Sequence, residues 1–571
     1  MKTIKVWAPK AKKVSLVVND KETAMKPDKN GFWQQKIKAE KSPLLYGFKV
    51  DGEGPFPDPK SEFQPEGVHG LSQKWPDNFK WQNKNCVASE LAEAVIYELH
   101  TGTFTPEGTF TAIIDKLDYL KELGVTHIEL LPVAAFPGHH GWGYDGVSLF
   151  ATHKEYGTPD DLKKLVDACH GKDMGIILDV VYNHLGPDGN YLGLYGHYFS
   201  DRYHTPWGEA VNFDWAHSDQ VREFVIENAL RWLEEFNFDG LRLDAVHAIY
   251  DFSATHILEE LQTNLEKLEE KTGQKYFLIA ESDLNDPRLL HSREKGGYGL
   301  AAQWMDDFHH SIHVMFTGEQ QNYYLDFKGA KDLNKCLKDN FVYDGVYSPS
   351  RKRKHGRKAD DLKPEHFVVS IQNHDQVGNR ALGERLNHLT GFSQCQLATA
   401  LMLLSPFVPM LFQGEEWAAS TPFLYFTDHT DEKLARAVKR GRQREYPSLN
   451  KKVPDPQAPE TFKRSTLIWN EQEADQHKKM LDWYKELIKL RKNYLDDLRK
   501  QTPEFKQIKE NLYFYQNGSL VMFANTGNDK QKFNLQIPEL KNCKILLQNN
   551  NNFGLGNEII AGADNITIAR L

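Results

Sequence analysis

Between residues 94 and 417 the chain alternates apolar runs with amphipathic stretches, and this alternation limits its fold more than any other feature. The runs are AVIYELH (94–100), HIELLPV (127–133), MGIILDVVY (174–182), FDGLRLDAV (238–246), YFLIAES (276–282), LAAQWMDDF (300–308), FVVSIQNH (367–374) and PMLFQGEEW (409–417). Strands that are apolar on both faces are covered on both faces, as parallel strands under helices are. The intervening stretches read as those helices. TPDDLKKLVDACHGK offers Thr158 as N-cap, Pro159 at the first helical position and acids in the first turn. SDQVREFVIENALRWLEEF offers Ser218 in the same way. Eight such strands are the number that closes a (β/α)8 barrel, with the segments near 300 and 409 carrying the weakest pattern. The expected class is therefore α/β, with a (β/α)8 TIM barrel at its centre.

The 571 residues exceed what one core can organise. Residues 1–88 hold short alternating runs (IKVWAP, VSLVVND, GFWQQKI, LYGFKV) and close with the Pro-rich DGEGPFPDPKSEFQPEG, which reads as an N-terminal β-sandwich. Residues 89–500 are assigned to the barrel with inserted loops. Residues 501–571 return to short strands (NLYFYQN, SLVMFAN, KFNLQI, KILLQN, NITIARL), the pattern of a small C-terminal antiparallel β domain. A formal charge of −9 gives no global attraction to nucleic acid. Cys86, Cys169, Cys336, Cys395 and Cys543 are scattered, and neither CxxC nor HExxH occurs, so no disulfide framework or metal site is expected. The opening MKTIKVWAPKAKKVSLVVND lacks the apolar run of a signal peptide, and no stretch is long enough to span a bilayer. A cytoplasmic setting without a membrane partner is the expectation.

Polar chemistry gathers where the expected strands end. The third ends in Asp179, Asn183 and His184, the fourth in Arg242, Asp244 and His247, and the fifth in Glu281 and Asp283. The sixth ends in Asp306 and Asp307, the seventh in Asn373, His374 and Asp375. In a barrel of this kind chemistry sits at those C-terminal ends. Arg242 and Asp244 are two residues apart, so both point to one face, and buried charges are tolerated only when paired and hydrogen-bonded. Titratable groups gathered in one mouth mark a functional site. Two carboxylates flanking a glycosidic bond are the minimum for its hydrolysis. A neighbouring arginine keeps an aspartate ionised for attack, and a glutamic acid crowded by aspartates holds its proton for donation.

DVVYNH (179–184), GLRLDAVH (240–247), the Glu of AESD (280–283) and QNHDQ (372–376) resemble, in order, the four signature regions of the α-amylase superfamily, glycoside hydrolase family 13. The resemblance implies a retaining mechanism with Asp244 as nucleophile and Glu281 as acid/base. It implies that Asp375 binds the hydroxyls of the −1 sugar, that Arg242, His184 and His374 line the same subsite, and that Tyr144 in HGWGYDGV offers a stacking face. LLPVAAFPGHHGWGYDGV, IAESDLNDPRLL, QWMDDFHH, IQNHDQVGNRALGERL and LFQGEEWAASTPFLYFTDH are similar to the maltooligosyltrehalose trehalohydrolase family within it. That finer resemblance implies substrate contacts from Arg242, His247, Asp306, Asp307, His309, His310, His374, Gln376 and Asn379. It implies a maltooligosyltrehalose or related α-glucan substrate, no cofactor and no metal, and functional coupling to a trehalose-forming glucan synthase. His140 and Gln413 depart from the family's pattern. The rival readings are a 1,4-α-glucan branching enzyme, which passes the glycosyl unit to a sugar, and a non-catalytic glucan-binding or scaffold protein. The basic run SRKRKHGRK (350–358) reads first as a solvated loop, ahead of a loop over the cleft mouth, with a nucleic-acid patch last.

Overall fold

A computed structural model describes residues 2–37, 44–83, 89–449, 452–534, 540, 543–555 and 558–571. Cys86, the last residues of the expected N-terminal domain (84–88) and the tail of KFNLQI (535–537) lie outside the described residues. Eight parallel strands close a barrel. They are β1 Ile96–Leu99, β2 His127–Leu130, β3 Gly175–Val180, β4 Gly240–Leu243, β5 Phe277–Ala280, β6 Ala302–Trp304, β7 Phe367–Val369 and β8 Val408–Phe412. All eight apolar runs supply a strand, including the two with the weakest pattern. β8 closes on β1 through Met410↔Ile96 and Leu411↔Tyr97.

Residues on one strand face recur every second position, and this period builds the barrel interior in layers. Ile96, Ile177, Ile279, Ala302, Val368, Val408 and Met410 pack together as a separate apolar cluster with Trp304. Two residues nearer the C-terminal mouth, the same faces of β1, β3 and β5 present Glu98, Asp179 and Glu281, and β4 presents Arg242. Apolar floor and charged ceiling thus follow from one alternation. Gly240 is required in β4 because a Cβ there would enter the Phe277 ring on β5.

Helices cover the outside. Pro159–His170 starts with a full capping box, in which Thr158 accepts from Asp161 N and Asp161 accepts from Thr158 N. Ser218 does not cap its helix. Ser218–Leu230 begins at that serine, and the cap position is His217 in a left-handed conformation (φ 67°) without a side-chain cap bond. Asx or Ser spacing alone does not reveal such a backbone turn.

In the N-terminal region Lys2–Trp7, Phe32–Ile37 and Lys26–Pro27 form one sheet, and a second is built on Val14–Val18 and Leu44–Val50. The tryptophans turn inward: Trp7 meets Tyr198 edge-on at 5.3 Å, and Tyr195 donates to Pro57 O at 2.7 Å, which seats the sandwich on the loop after β3. At the other end Glu504–Lys509, Leu512–Asn517, Leu520–Asn525, Asn565–Arg570 and Lys544–Gln548 form an antiparallel sheet. The strand Gln531–Phe533 takes in the first two residues of the expected run KFNLQI. This sheet is tied to the barrel by Tyr515, which donates to Leu404 O at 2.8 Å. Buried Arg491 of the helix Asp475–Leu498 reaches the Leu403 and Ser405 carbonyls at 2.9 and 2.8 Å. Among the described residues no helix is long and apolar enough to cross a membrane.

Candidate active site

Arg242 is fully buried (0% exposed) and organises the mouth of the barrel. Its Nη1 donates to Asp179 Oδ2 at 2.7 Å and to Asp244 Oδ1 at 2.8 Å, while Nη2 lies 2.9 Å from Glu281 Oε2, an ion-pair contact off the hydrogen-bond line. Its plane sits 4.2 Å over the Trp304 ring. A guanidinium presents several donors in a rigid fork, so one side chain fixes three carboxyl groups from β3, β4 and β5.

The chain after β4 turns sharply. Ala245 has φ 39° and ψ 51°, a left-handed conformation rare for a residue with a side chain. This turn aims the Ala245 amide at Glu281 Oε2 (2.6 Å). Asn183 completes the cradle, donating from Nδ2 to Asp244 Oδ2 at 2.8 Å and to Asp244 O at 2.8 Å. His184 contacts Asn183 Oδ1 through Nδ1 (2.5 Å) and Tyr144 O through Nε2 (3.0 Å). Tyr144 donates to Asp179 Oδ2 at 2.6 Å and stacks on His374 with centroids 5.1 Å apart.

These surroundings drive the two central acids apart. Burial alone would raise Asp244, but Arg242, His184 and the Asn183 amide overcome it and hold the carboxyl below its ordinary range. Burial pushes Glu281 well up, and the neighbouring Asp244 and Asp375 charges add to it against the opposing Arg242. Asp179 is pushed up to about 6 by burial and Asp244, with Arg242 opposing. One carboxylate is kept charged and one carboxyl protonated on the same cation, the division that acid/base and nucleophilic roles need.

The far wall comes from β6 and β7. Asp306 starts the helix Asp306–Thr317 and accepts from Gln376 Nε2 at 3.2 Å; burial and the facing Asp375 raise it to about 7. Asp375 is held by Asn379 Nδ2 at 3.1 Å, its side chain 40% exposed to the cleft. His247 is partly exposed and lies 4.0 Å from Asp283. His310 packs against Tyr323 and Phe327, with no partner for its Nδ1 among the described residues. Two further residues expected as substrate contacts have polar atoms engaged by the protein itself. Asp307 accepts from Val342 N at 2.7 Å, Tyr343 N at 3.2 Å and Asn285 Nδ2 at 2.9 Å. His309 is enclosed between Ile371 O (2.7 Å) and the Tyr324 hydroxyl (3.0 Å). Both are buried anchors of the loops that shape the cleft.

The basic run lies on the hairpin Asp344–Ser348/Arg353–Gly356 after β6. Lys352, Arg353, Lys354, Arg357 and Lys358 are exposed, as a solvated loop would have them. Arg351 and His355 are not: Arg351 pairs with Asp283 at 3.1 Å and Asp326 at 3.4 Å, and His355 Nε2 meets Asp283 O at 2.8 Å. The hairpin is therefore clamped to the residue two beyond Glu281.

Residues 73–197 match the alpha amylase catalytic domain, and residues 2–64 match carbohydrate-binding module 48, the isoamylase N-terminal domain. The malto-oligosyltrehalose trehalohydrolase of Saccharolobus solfataricus is 48% identical over 493 residues, 86% of this chain and 85% of its own. The chain belongs to the malto-oligosyltrehalose trehalohydrolase family. The 1,4-alpha-glucan branching enzyme GlgB of Lactobacillus acidophilus is 30% identical over 74% of this chain and 69% of its own. A solved Salmonella typhimurium structure carrying an alpha-amylase name superposes with a TM-score of 0.90 at 38% identity, covering 100% of this chain and 97% of that one.

The two residues expected to depart from that family's pattern each make local contacts. Gln413 accepts from His100 N and donates to Thr103 Oγ1, both at 2.9 Å, so a polar side chain at the end of β8 closes the loop after β1. His140 stacks on Phe462 at 5.0 Å. Three residues at the site escape sequence reasoning. Glu98 and Glu129 look like stray acids inside β1 and β2, and only their inward register identifies them. Trp207, 48% exposed, stacks on His184 at 4.9 Å from the tip of a hairpin formed by Phe199–Thr205 and Gly208–Val211. Its signal is an aromatic beside the turn of PWGEA, visible only once the hairpin is folded.

Proposed function

We propose that this chain is a retaining glycoside hydrolase that cleaves the α-1,4 bond next to the terminal trehalose of maltooligosyltrehalose, releasing trehalose and a shorter maltooligosaccharide. The observation that carries the reading is the shared cation: Arg242 touches an aspartate held ionised and lies beside a glutamic acid held protonated. Asp244 attacks the anomeric carbon while Glu281 gives its proton to the glycosidic oxygen, so trehalose leaves as an alcohol and a glycosyl ester forms. Glu281, now a carboxylate, takes a proton from water as that water displaces Asp244. Asp375, exposed to the cleft, holds sugar hydroxyls through the oxocarbenium-like transition state. Tyr144 and Trp207 supply faces for sugar rings, with His184, His247, Asp306, His310, His374, Gln376 and Asn379 around them.

The same reading includes a cytoplasmic setting and coupling to a glucan-modifying enzyme that forms the terminal trehalose unit, since that reaction must supply the substrate. Incubation with maltooligosyltrehalose and, separately, with amylose tests the choice of acceptor. Trehalose from the first and no branch points in the second is the expected result. Branch points without trehalose would replace hydrolysis with transfer to sugar.

A further inference from the structure

Beneath the sugar-facing residues lies an acid that the mechanism does not use. Glu98 on β1 is 1% exposed, and both of its oxygens are turned on one residue, His374. Oε2 accepts from His374 N at 3.0 Å, and Oε1 lies 2.6 Å from His374 Nδ1. The imidazole is otherwise locked by packing: Tyr144 covers its face at 5.1 Å, and Trp142 meets it edge-on at 5.6 Å. Its Nε2 is the nitrogen left for the cleft, 3.6 Å from Asp375 Oδ1. With Nδ1 committed to a carboxylate, the ring cannot flip without breaking the shortest contact it makes.

The neighbouring acid argues that Glu98 acts through charge rather than through shape. Glu129 on β2 is in register with Glu98, and neither of its oxygens has a hydrogen-bond partner among the described residues. Burial and the Glu98 charge hold Glu129 protonated, far above the carboxylate range. Of these two paired acids only Glu98 has side-chain hydrogen-bond contacts among the described residues, and both go to His374. The other titratable groups facing the ring are His100 after β1, Tyr144 after β2, Arg242 on β4 and Asp375 on its own segment. Burial works against a charged His374, yet Glu98 first and Asp375 second raise it to about 9.

We infer that Glu98 is a positioning residue that keeps His374 doubly protonated and its Nε2 hydrogen aimed at the −1 sugar and Asp375. This rests on the reading of the cleft as a glycosidase site. With a hydrogen on both ring nitrogens His374 can only donate, so Nε2 presents a fixed donor to a sugar hydroxyl oxygen and to Asp375 Oδ1.

Glu98→Gln separates this role from a structural one, because the amide oxygen still accepts from His374 N and fills the same volume. The expected result is a fall of about 10- to 100-fold in kcat, with KM changed much less. The basic limb of the kcat profile should move to lower pH, since a neutral imidazole appears as soon as the ring loses its stabilised proton. Glu98→Asp, which keeps the charge, should restore the limb in part. Nitrogen-detected NMR of the His374 ring reads the same state without any turnover. An imidazolium signal that persists in Glu98→Gln through neutral pH would overturn the inference. So would superimposable kcat profiles for Glu98→Gln and the parent chain. Because the NMR readout needs no substrate, its failure is distinguishable from failure of the assigned reaction.

Discussion

Replacing Arg242 with lysine keeps one positive charge and removes the fork, so it tests whether geometry or charge alone divides the roles of the acids. The guanidinium reaches Asp179 at 2.7 Å and Asp244 at 2.8 Å from one nitrogen, and Glu281 at 2.9 Å from another. A lysine ammonium is a single point on a flexible stem. It can follow one of those nitrogens but not both, and it forfeits the stack 4.2 Å over Trp304. A hydrogen bond to a charged group contributes about 1.5–3 kcal/mol. Losing one such contact at the reacting centre predicts a fall in kcat/KM of about 10- to 150-fold. Full removal of the cation would leave three buried acids unpaired at a cost of about 3–5 kcal/mol and confound the result with unfolding.

The pH profile supplies the sharper readout. Arg242 opposes the effect of burial on both Asp244 and Glu281. Weakening it lets both carboxyl groups rise. Asp244 must be ionised to attack, so the acid limb of the profile moves to higher pH. Glu281 must be protonated to donate and His374 to keep its Nε2 hydrogen, and Arg242 opposes the proton on both, so the basic limb moves to higher pH as well. For stability, Asp244 has a depressed native pKa, and its contribution is present above its unfolded value and lost as pH falls through the native one. Arg242→Lys shrinks that contribution. Initial rates of trehalose release across about pH 4–9 measure both limbs, with a denaturant midpoint to confirm folding. Limbs that stay in place, or a loss confined to KM, would refute the assignment of Arg242 as the group that sets both protonation states.

Two further outcomes follow. Trp207→Ala removes the exposed face stacked on His184, and an aromatic contact of this kind contributes about 0.5–1.5 kcal/mol. KM should rise about 2- to 12-fold at nearly constant kcat, and an unchanged KM would exclude the ring from the substrate path. Gly356→Ala places a Cβ against the Tyr343 carbonyl at φ 73°. The left-handed conformation alone costs about 1–2 kcal/mol, and the hairpin must shift, so proteolysis within 344–356 should accelerate; a rate equal to the parent's would refute the clash.

Much of this architecture could be read from sequence because it rests on periods. Each barrel strand showed itself as an apolar run, and the spacing of Arg242 and Asp244 placed two charges on one face. The residues whose surroundings differ from the expected ones fall where the period changes. Asp306 ends β6's run and also begins a helix, so the residues that follow fan out by about 100° each instead of alternating. Asp307 is thereby turned onto the backbone of residues 342–343, and His309 onto Ile371. Glu98 and Glu129 were hidden for the opposite reason. They obey the strand period but sit inside it, where an acid reads as a flaw until the barrel closes around His374. Trp207, Arg351 and Ala245 depend on turns, and turns are set by backbone dihedrals that side-chain patterns constrain weakly.

The proposed division of labour between Asp244 and Glu281 needs no special residue at either acid. One guanidinium faces three carboxyl groups, so the cluster cannot be neutral with all three ionised, and a low-dielectric pocket penalises the excess. The proton must reside on whichever group is worst supplied with donors. Asp244 receives Arg242 Nη1 and the Asn183 amide, with His184 adding favourable charge. Glu281 receives one backbone amide and an off-line contact to Nη2, and it faces Asp244 and Asp375. The donor that breaks the tie comes from Asn183, four residues beyond Asp179 on the loop after β3, and the amide given to Glu281 exists only because Ala245 is forced left-handed. In the proposed reaction, acid and nucleophile are therefore chosen by the loops after β3 and β4, while the strands decide only that the two meet.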